Sequence, residues 1–109
     1  MSSDKPSHRG SPYAQELISH LQPHCTTHKT DPGEQLNLQV NGQSMCYLIL
    51  DGTVAIYRRS DDMMLSTARS PALFGLANLT DIYFTDYLRT VTPCLIGVLT
   101  TDRAAEIIK

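Results

Sequence analysis

The sequence lacks an excess of charge of one sign: nine lysines and arginines stand against eleven acidic residues, for a net charge of −2. Arg58 and Arg59 are its only adjacent basic pair, whereas a nucleic-acid interface usually needs a basic face. Long apolar runs are also missing, since the longest, residues 46–50, falls far short of the roughly 20 residues of a membrane-spanning helix. We therefore expect no direct contact of this chain with nucleic acid and no membrane association.

Cysteine is sparse, with three residues and no C-x-x-C pair. Widely spaced cysteines in odd number, without a signal peptide, are typical of reduced thiols in the cytoplasm. Cys46 and Cys94 lie in apolar runs and are predicted to face the core. Cys25, beside His24, is the better candidate for a redox-active thiol, which needs exposure and a lowered pKa.

Motifs for catalysis and metal binding are missing. No histidine follows His28, which argues against a cupin-like metalloenzyme, because that site needs an H-x-H pair, a glutamate and a further histidine downstream. G-x-S-x-G and phosphate-loop motifs are absent too. His20, His24, Cys25 and His28 lie close together, but Pro23 interrupts their helical spacing and no second ligand set follows. We expect no enzyme, no catalytic residue, no cofactor and no metal site.

The apolar pattern predicts one mainly β domain between two helices. Residues 1–11 are polar and punctuated by proline and glycine, so they are predicted to be disordered. The strongest turn signal, Asp51-Gly52 between two β-rich runs, predicts a hairpin with a type I′ turn. Residues 12–109 are therefore predicted to form an antiparallel double-stranded β-helix (jelly-roll or β-roll) with a short N-terminal and a C-terminal helix. The predicted strands are residues 26–29, 36–40, 46–50, 54–58, 63–68, 71–76, 87–91 and 95–99, with a loop or short helix at 81–86.

Three segments resemble the cyclic-nucleotide-binding β-roll of the Crp/Fnr regulators. Residues 47–57 (YLILDGTVAIY) are similar to the family's central strand pair. Phe74-Gly75 resembles the glycine that opens its phosphate-binding cassette, and residues 88–99 resemble the strands that follow. The order and spacing of these segments carry the resemblance more than any one of them does.

A narrower resemblance links two of the segments, residues 72–77 and 94–97, to the IprA-type enterobacterial regulators (inhibitor of hydrogen peroxide resistance). The family resemblance implies a homodimeric transcription regulator, and the narrower one a link to oxidative-stress control. The family resemblance further implies a dimer helix and a DNA-binding winged helix beyond Lys109. The full-length protein would contact DNA through this winged helix.

The family's nucleotide contacts are replaced in this sequence. Nucleotide-binding members hold the ribose with a glutamate, whose position is taken by Leu76. Their phosphate-binding Arg-Ser or Arg-Thr pair falls on Phe84 and Thr85, and Phe84 carries no charge. A shifted alignment would make Arg89 and Thr90 the phosphate pair instead. Because a buried anion without a cation costs several kcal/mol, we expect no binding of cAMP or cGMP.

A pocket is predicted at the position where the family binds its ligand. Small barrels are usually filled by their own residues, so this pocket would be closed by side chains such as Phe74, Leu76, Phe84 and Tyr83. The alternative is an unidentified apolar or mixed small ligand, because the mouth of a β-roll favours ligand sites. The sequence thus predicts a sensor or regulatory domain degenerate for cyclic nucleotide; the alternative is a stand-alone small-ligand-binding β-roll. The predicted pocket residues are Phe74, Gly75, Leu76, Phe84, Thr85 and Arg89.

Overall fold

The computed structural model describes residues 12–76 and 87–108, and within them it confirms the mainly β fold. Helix α1 (Pro12–Leu21) leads through a 3-10 turn (Gln22–His24) into the strands, and helix α2 (Thr101–Ile108) follows them. No helix in these two ranges is long and apolar enough to cross a membrane. The strands are β1 (Thr26–Thr30), β2 (Gln35–Asn37), β3 (Gln39–Val40), β4 (Gln43–Asp51), β5 (Thr53–Arg58), β6 (Met63–Arg69), β7 (Ala72–Phe74), β8 (Tyr87–Thr90) and β9 (Cys94–Thr100).

Two antiparallel sheets face each other in the described part of the chain. The first has the order β1-β9-β4-β3, with β7 also paired to β4, and the second has the order β2-β8-β5-β6. Side chains alternate along each strand, so that one face of each sheet can be buried between the two. This intersheet core consists of Leu36, Tyr47, Ile49, Val54, Ile56, Ala68, Ala72, Leu88, Cys94 and Ile96.

The two helices cover the opposite face of the first sheet. Alternation along β4 places Tyr47 and Ile49 in the intersheet core and Cys46 and Leu48 under the helices. This helix-side cluster anchors both ends of the domain to the same sheet. Its buried members are Ile18, Leu21, Cys46, Leu48, Leu76, Leu99 and Ala104.

The hairpin predicted at Asp51-Gly52 is wrong. Strands β4 and β5 lie in different sheets and do not pair, so the chain turns a corner there. Gly52 has φ +109°, but Asp51 does not have the positive φ that a type I′ turn requires. The type I′ geometry instead occurs at Asn41 (φ 53°) and Gly42 (φ 79°), which join β3 to β4.

Two smaller predictions also differ from the structure. The alternation of apolar and polar residues over 36–40 predicts that Val40 faces the core, but it is 41% exposed in the short hairpin that follows the break between β2 and β3. The sequence predicts that Thr101 or Asp102 caps the C-terminal helix, but the cap is Thr100, because the Arg103 amide donates to Thr100 Oγ1 at 3.1 Å. Residues 1–11 and the predicted loop at 81–86 lie outside the described residues.

Candidate ligand sites of the β-roll

Gly75 marks the point where the predicted pocket divides between two sides of the first sheet. Phe74 is half-buried and packs against the intersheet core, whereas Leu76 is 4% exposed and belongs to the helix-side cluster. Between them Gly75 has φ +102° and lies so close to the backbone of Met45 and Cys46 that a side chain there would overlap it. Within a short predicted strand Gly75 indicates either a bulge or a close approach of two backbones, and the structure has the close approach.

The position of the family's ribose-binding carboxylate thus holds a leucine that points away from the intersheet core. The Thr101 hydroxyl donates to the Gly75 carbonyl at 2.8 Å, which fastens this segment to the start of α2. Leu76 packs with the helices and not with Phe74, so these two side chains do not close one common pocket. Phe84 and Thr85 lie outside the described residues.

Arg89 lies on the outer face of the second sheet. Its guanidinium is 5.7 Å from the ring centroid of Tyr57 and 5.8 Å from that of Tyr87, and it donates to the carbonyl of Gly33 and to Gln35 Oε1, each at 3.2 Å. Such contacts between a cation and aromatic faces are stabilising. Arg89 is therefore occupied outside the roll.

Its neighbour Thr90 points the other way and is 2% exposed. Its hydroxyl donates to the Asp31 carbonyl at 2.6 Å and accepts from the Glu34 amide at 2.9 Å. Because consecutive strand residues face opposite sides of a sheet, Arg89 and Thr90 cannot hold one phosphate between them. The geometry therefore does not favour the shifted alignment, in which they form the phosphate pair.

A stacked pair of tyrosines on the outer face was not predicted from the sequence. The rings of Tyr57 and Tyr87 are 5.1 Å apart at an interplanar angle of 4°, and the Arg59 guanidinium lies 5.4 Å from the centre of the Tyr87 ring. The Tyr87 hydroxyl donates to Asp62 Oδ1 at 2.6 Å, and this hydrogen bond raises the pKa of Tyr87. Tyr57 on β5 and Tyr87 on β8 are directly opposite each other in the second sheet. The pair could not be predicted, because the sequence does not show that these two strands are neighbours.

The interior between the sheets offers no charge among the described residues. No lysine, arginine, aspartate or glutamate of residues 15–76 and 87–108 is buried; the buried polar side chains there are Thr30 and Thr90. The Tyr47 hydroxyl donates to the carbonyl of Asn37 at 2.6 Å and is thereby satisfied. This part of the interior can accommodate apolar groups. It supplies neither a cation for a phosphate nor a carboxylate for a ribose hydroxyl.

Two of the three cysteines, Cys25 and Cys46, have a raised pKa. Cys46 and Cys94 are buried, as predicted, and burial raises the pKa of Cys46 to about 12. Burial also raises the pKa of Cys25, whose thiol donates to the Gln22 carbonyl at 3.2 Å and fills the space where Gly97 has no side chain. A reactive thiol needs the opposite shift.

The histidines beside Cys25 form no metal site with it. In the part of the chain that the structure describes, no three histidine, cysteine, aspartate or glutamate side chains come close enough to bind one ion. The 3-10 turn separates α1, which carries His20, from β1, which carries His28. The close spacing in sequence therefore does not become a cluster in space.

A polar cleft, here called the corner cleft, lies where the chain crosses between the sheets. Its volume is about 560 Å³. Residues 51–53 span the corner from the end of β4 to the start of β5, residues 69–71 lead from the end of β6 to β7, and Thr92 lies between β8 and β9. Gln15 of α1 completes the lining. This cleft is not predictable from the sequence, because its residues come from four separate parts of the chain.

Comparison with known proteins rests on structure. No family model and no curated protein matches the sequence. The c-di-GMP-responsive global regulator CLP of Xanthomonas campestris superposes with a TM-score of 0.65 at 19% identity, covering 86% of this chain and 48% of CLP. The sensor domain of the regulator DNR from Pseudomonas aeruginosa gives 0.61 at 18% identity, covering 85% of this chain and 68% of that domain.

A third similar structure is cAMP-bound PfPKA-R, with a TM-score of 0.62 at 13% identity over 88% of this chain and 38% of the other. The chain spans about half the length of CLP, so the likeness concerns one part of that regulator. At these identities the comparisons establish the architecture alone. The chain has the cyclic-nucleotide-binding-like β-roll fold, which confirms the fold expected from the Crp/Fnr resemblance.

Proposed function

We propose that this chain is the sensor or regulatory domain of a Crp-like transcription regulator, and that it does not bind cyclic nucleotides. Its fold is that of the DNR sensor domain and of part of the regulator CLP. The role that we propose is one of binding and signalling, without catalysis.

The observation that carries the proposal is that residues 15–76 and 87–108 bury no charged side chain between the sheets. A cyclic nucleotide brings an anionic phosphate and a ribose hydroxyl, which need a cation and an acceptor. Leu76 stands in the acceptor's place under the helices, and Arg89 is occupied on the outer face. Phe84, at the position of the family's phosphate-binding arginine, has no charge to offer.

A thermal-denaturation screen tests this proposal. Binding at a hundredfold excess over Kd would stabilise the folded state by about 2.7 kcal/mol and raise the melting temperature by several degrees. We expect no rise with cAMP, with cGMP or with c-di-GMP, the effector of CLP. A rise that the variant Arg89→Gln abolishes would restore Arg89 as the phosphate ligand and overturn the proposal.

The partners belong to the longer protein that we propose. A dimer helix continuing from α2 would join two copies, and a winged helix beyond Lys109 would bind DNA in the cytoplasm. A reading frame that continues for roughly another domain of 100 residues supports this organisation. A gene that ends near Lys109 would favour a stand-alone ligand-binding β-roll instead, for which the corner cleft is the specific observation.

The link to oxidative stress rests on the narrower resemblance to the IprA-type regulators. The raised pKa values of Cys25 and Cys46 favour a role for this domain that does not use its own thiols as the sensor. Peroxide resistance of cells carrying Cys25→Ser in place of the natural protein should therefore equal that of the wild type. Loss of the response in that variant would assign the sensing step to Cys25.

A further inference from the structure

Three connections between the sheets meet at one end of the roll and are joined by hydrogen bonds. The Ser70 amide donates to the Gly52 carbonyl at 2.9 Å, and the Val91 amide donates to the Thr53 carbonyl at 2.9 Å. The Thr53 amide in turn donates to Thr92 Oγ1 at 3.0 Å. These bonds hold the floor of the corner cleft in one arrangement, which is what a preformed binding site requires.

Two opposite charges line this cleft without neutralising each other. Asp51 ends β4 and Arg69 ends β6, and within the described part of the chain neither side chain has an ion pair or a hydrogen bond. The ion pairs within residues 12–76 and 87–108 are Arg58–Asp61 and Arg103–Glu106, both elsewhere. Both groups can therefore bind a ligand without first breaking a contact with the protein.

The remaining lining supplies neutral hydrogen-bonding groups. The side chains of Thr53, Ser70 and Gln15 also make no side-chain hydrogen bond within the described residues. A volume of about 560 Å³ falls in the range of roughly 300–1,000 Å³ that is typical of small-molecule sites. The lining is too polar for an apolar ligand, because such a ligand would cover these groups without replacing their water.

We propose that the corner cleft binds a small zwitterion of the α-amino-acid class. The ligand's carboxylate would lie against the Arg69 guanidinium and its ammonium group against the Asp51 carboxylate. A ligand with only a negative charge would be repelled by Asp51, and one with only a positive charge by Arg69. Hydrogen bonds between two charged groups are stronger than those between neutral groups. Only a zwitterion can make one such bond to Arg69 and another to Asp51.

Amide NMR spectra of the isotope-labelled protein test the proposal with named probes. L-alanine, L-glutamine and L-phenylalanine would be titrated singly, beside N-acetyl-L-alanine, which lacks the ammonium group, and L-alaninamide, which lacks the carboxylate. We expect saturable shifts of the Thr53 and Ser70 amides with at least one amino acid. The two blocked derivatives should bind about tenfold more weakly than L-alanine or not at all.

Variants of the two charged residues provide the matched comparison. Asp51→Asn and Arg69→Gln each remove one charge at an exposed position, so both proteins should fold, and each should weaken binding about tenfold. Arg103→Gln removes an exposed charge on α2 and should leave binding unchanged. The proposal is overturned if no amino acid shifts these amides, if the blocked derivatives bind as tightly as L-alanine, or if Arg103→Gln weakens binding as much. The proposal that the corner cleft binds an amino acid is independent of the proposal that cyclic nucleotides do not bind, because the two concern different sites and are tested separately.

Discussion

At the scale of single residues, two glycines show how backbone geometry determines where side chains go. Gly52 turns the chain from one sheet to the other, and Gly75 brings β7 against β4 where no side chain fits. Both have positive φ, which residues with a side chain rarely adopt. Because Gly75 interrupts the alternation of side chains, Phe74 and Leu76 reach opposite faces of the first sheet although they are two positions apart.

Replacement of Gly52 by alanine should destabilise the fold more than the same change at Gly42. A Cβ at Gly52 would lie 2.6 Å from Cys94 Sγ and 2.7 Å from the Pro93 carbonyl, whereas nothing lies within 4 Å of one at Gly42. We expect a loss of about 2–4 kcal/mol for Gly52→Ala, the sum of backbone strain and overpacking, and about 1 kcal/mol for Gly42→Ala. Urea denaturation measures both, and equal losses would contradict the packing of the corner.

The buried thiol of Cys46 should make the fold sensitive to alkaline pH. Burial raises its pKa from 9.0 to about 12, so the folded state favours the neutral thiol. The stabilisation is complete below pH 9 and is lost as the pH rises towards 12, by at most about 1.4 kcal/mol per pH unit. Burial raises the pKa of Tyr47 as well. Its effect on the pH dependence of stability should be the same in the wild type and in a Cys46→Ala variant.

The measurement that tests this prediction compares how steeply the free energy of unfolding changes with pH in the wild type and in Cys46→Ala. Unfolding free energies from denaturant titrations at pH 8, 9 and 10 should fall more steeply with pH in the wild type than in the variant. Identical slopes would show that Cys46 is not buried as the structure has it.

At the scale of elements, strands were easier to predict than their partners. The strands around Ile49 and Ile56 follow from their β-branched, apolar composition, and both were placed correctly. Asp51-Gly52 between them marks a reversal, but a corner and a hairpin both need glycine at that point. Which one forms depends on whether β4 pairs with β5 or with β9, and that choice is made by contacts distant in sequence.

Helix α1 should contribute stability through the face that it buries on the first sheet. Leu21 is fully buried in the helix-side cluster, and Leu21→Ala should lower the free energy of unfolding by about 2–5 kcal/mol, since it leaves a cavity. The neighbouring His20 is exposed, and His20→Ala should change stability by less than about 0.5 kcal/mol. Similar effects of the two substitutions in urea denaturation would mean that α1 does not pack on the sheet.

At the scale of the whole molecule, the fold is shown by the structure, whereas the loss of a nucleotide site remains our proposal. The fold could be predicted because the order of strands, turns and glycines survives in the sequence. The proposed loss of the nucleotide contacts rests on the sequence, at Leu76 and Phe84. The orientation of Arg89 and the existence of the corner cleft required the structure, because both depend on how the two sheets are paired and connected.

A calorimetric titration of the folded protein with cAMP tests the central claim most directly. The uncharged interior among the described residues predicts no saturable heat at any cAMP concentration that saturates a nucleotide-binding Crp-type domain. Saturable binding with a micromolar Kd, about −8.2 kcal/mol, would contradict the account, since it would require a cation and an acceptor that the described interior does not contain.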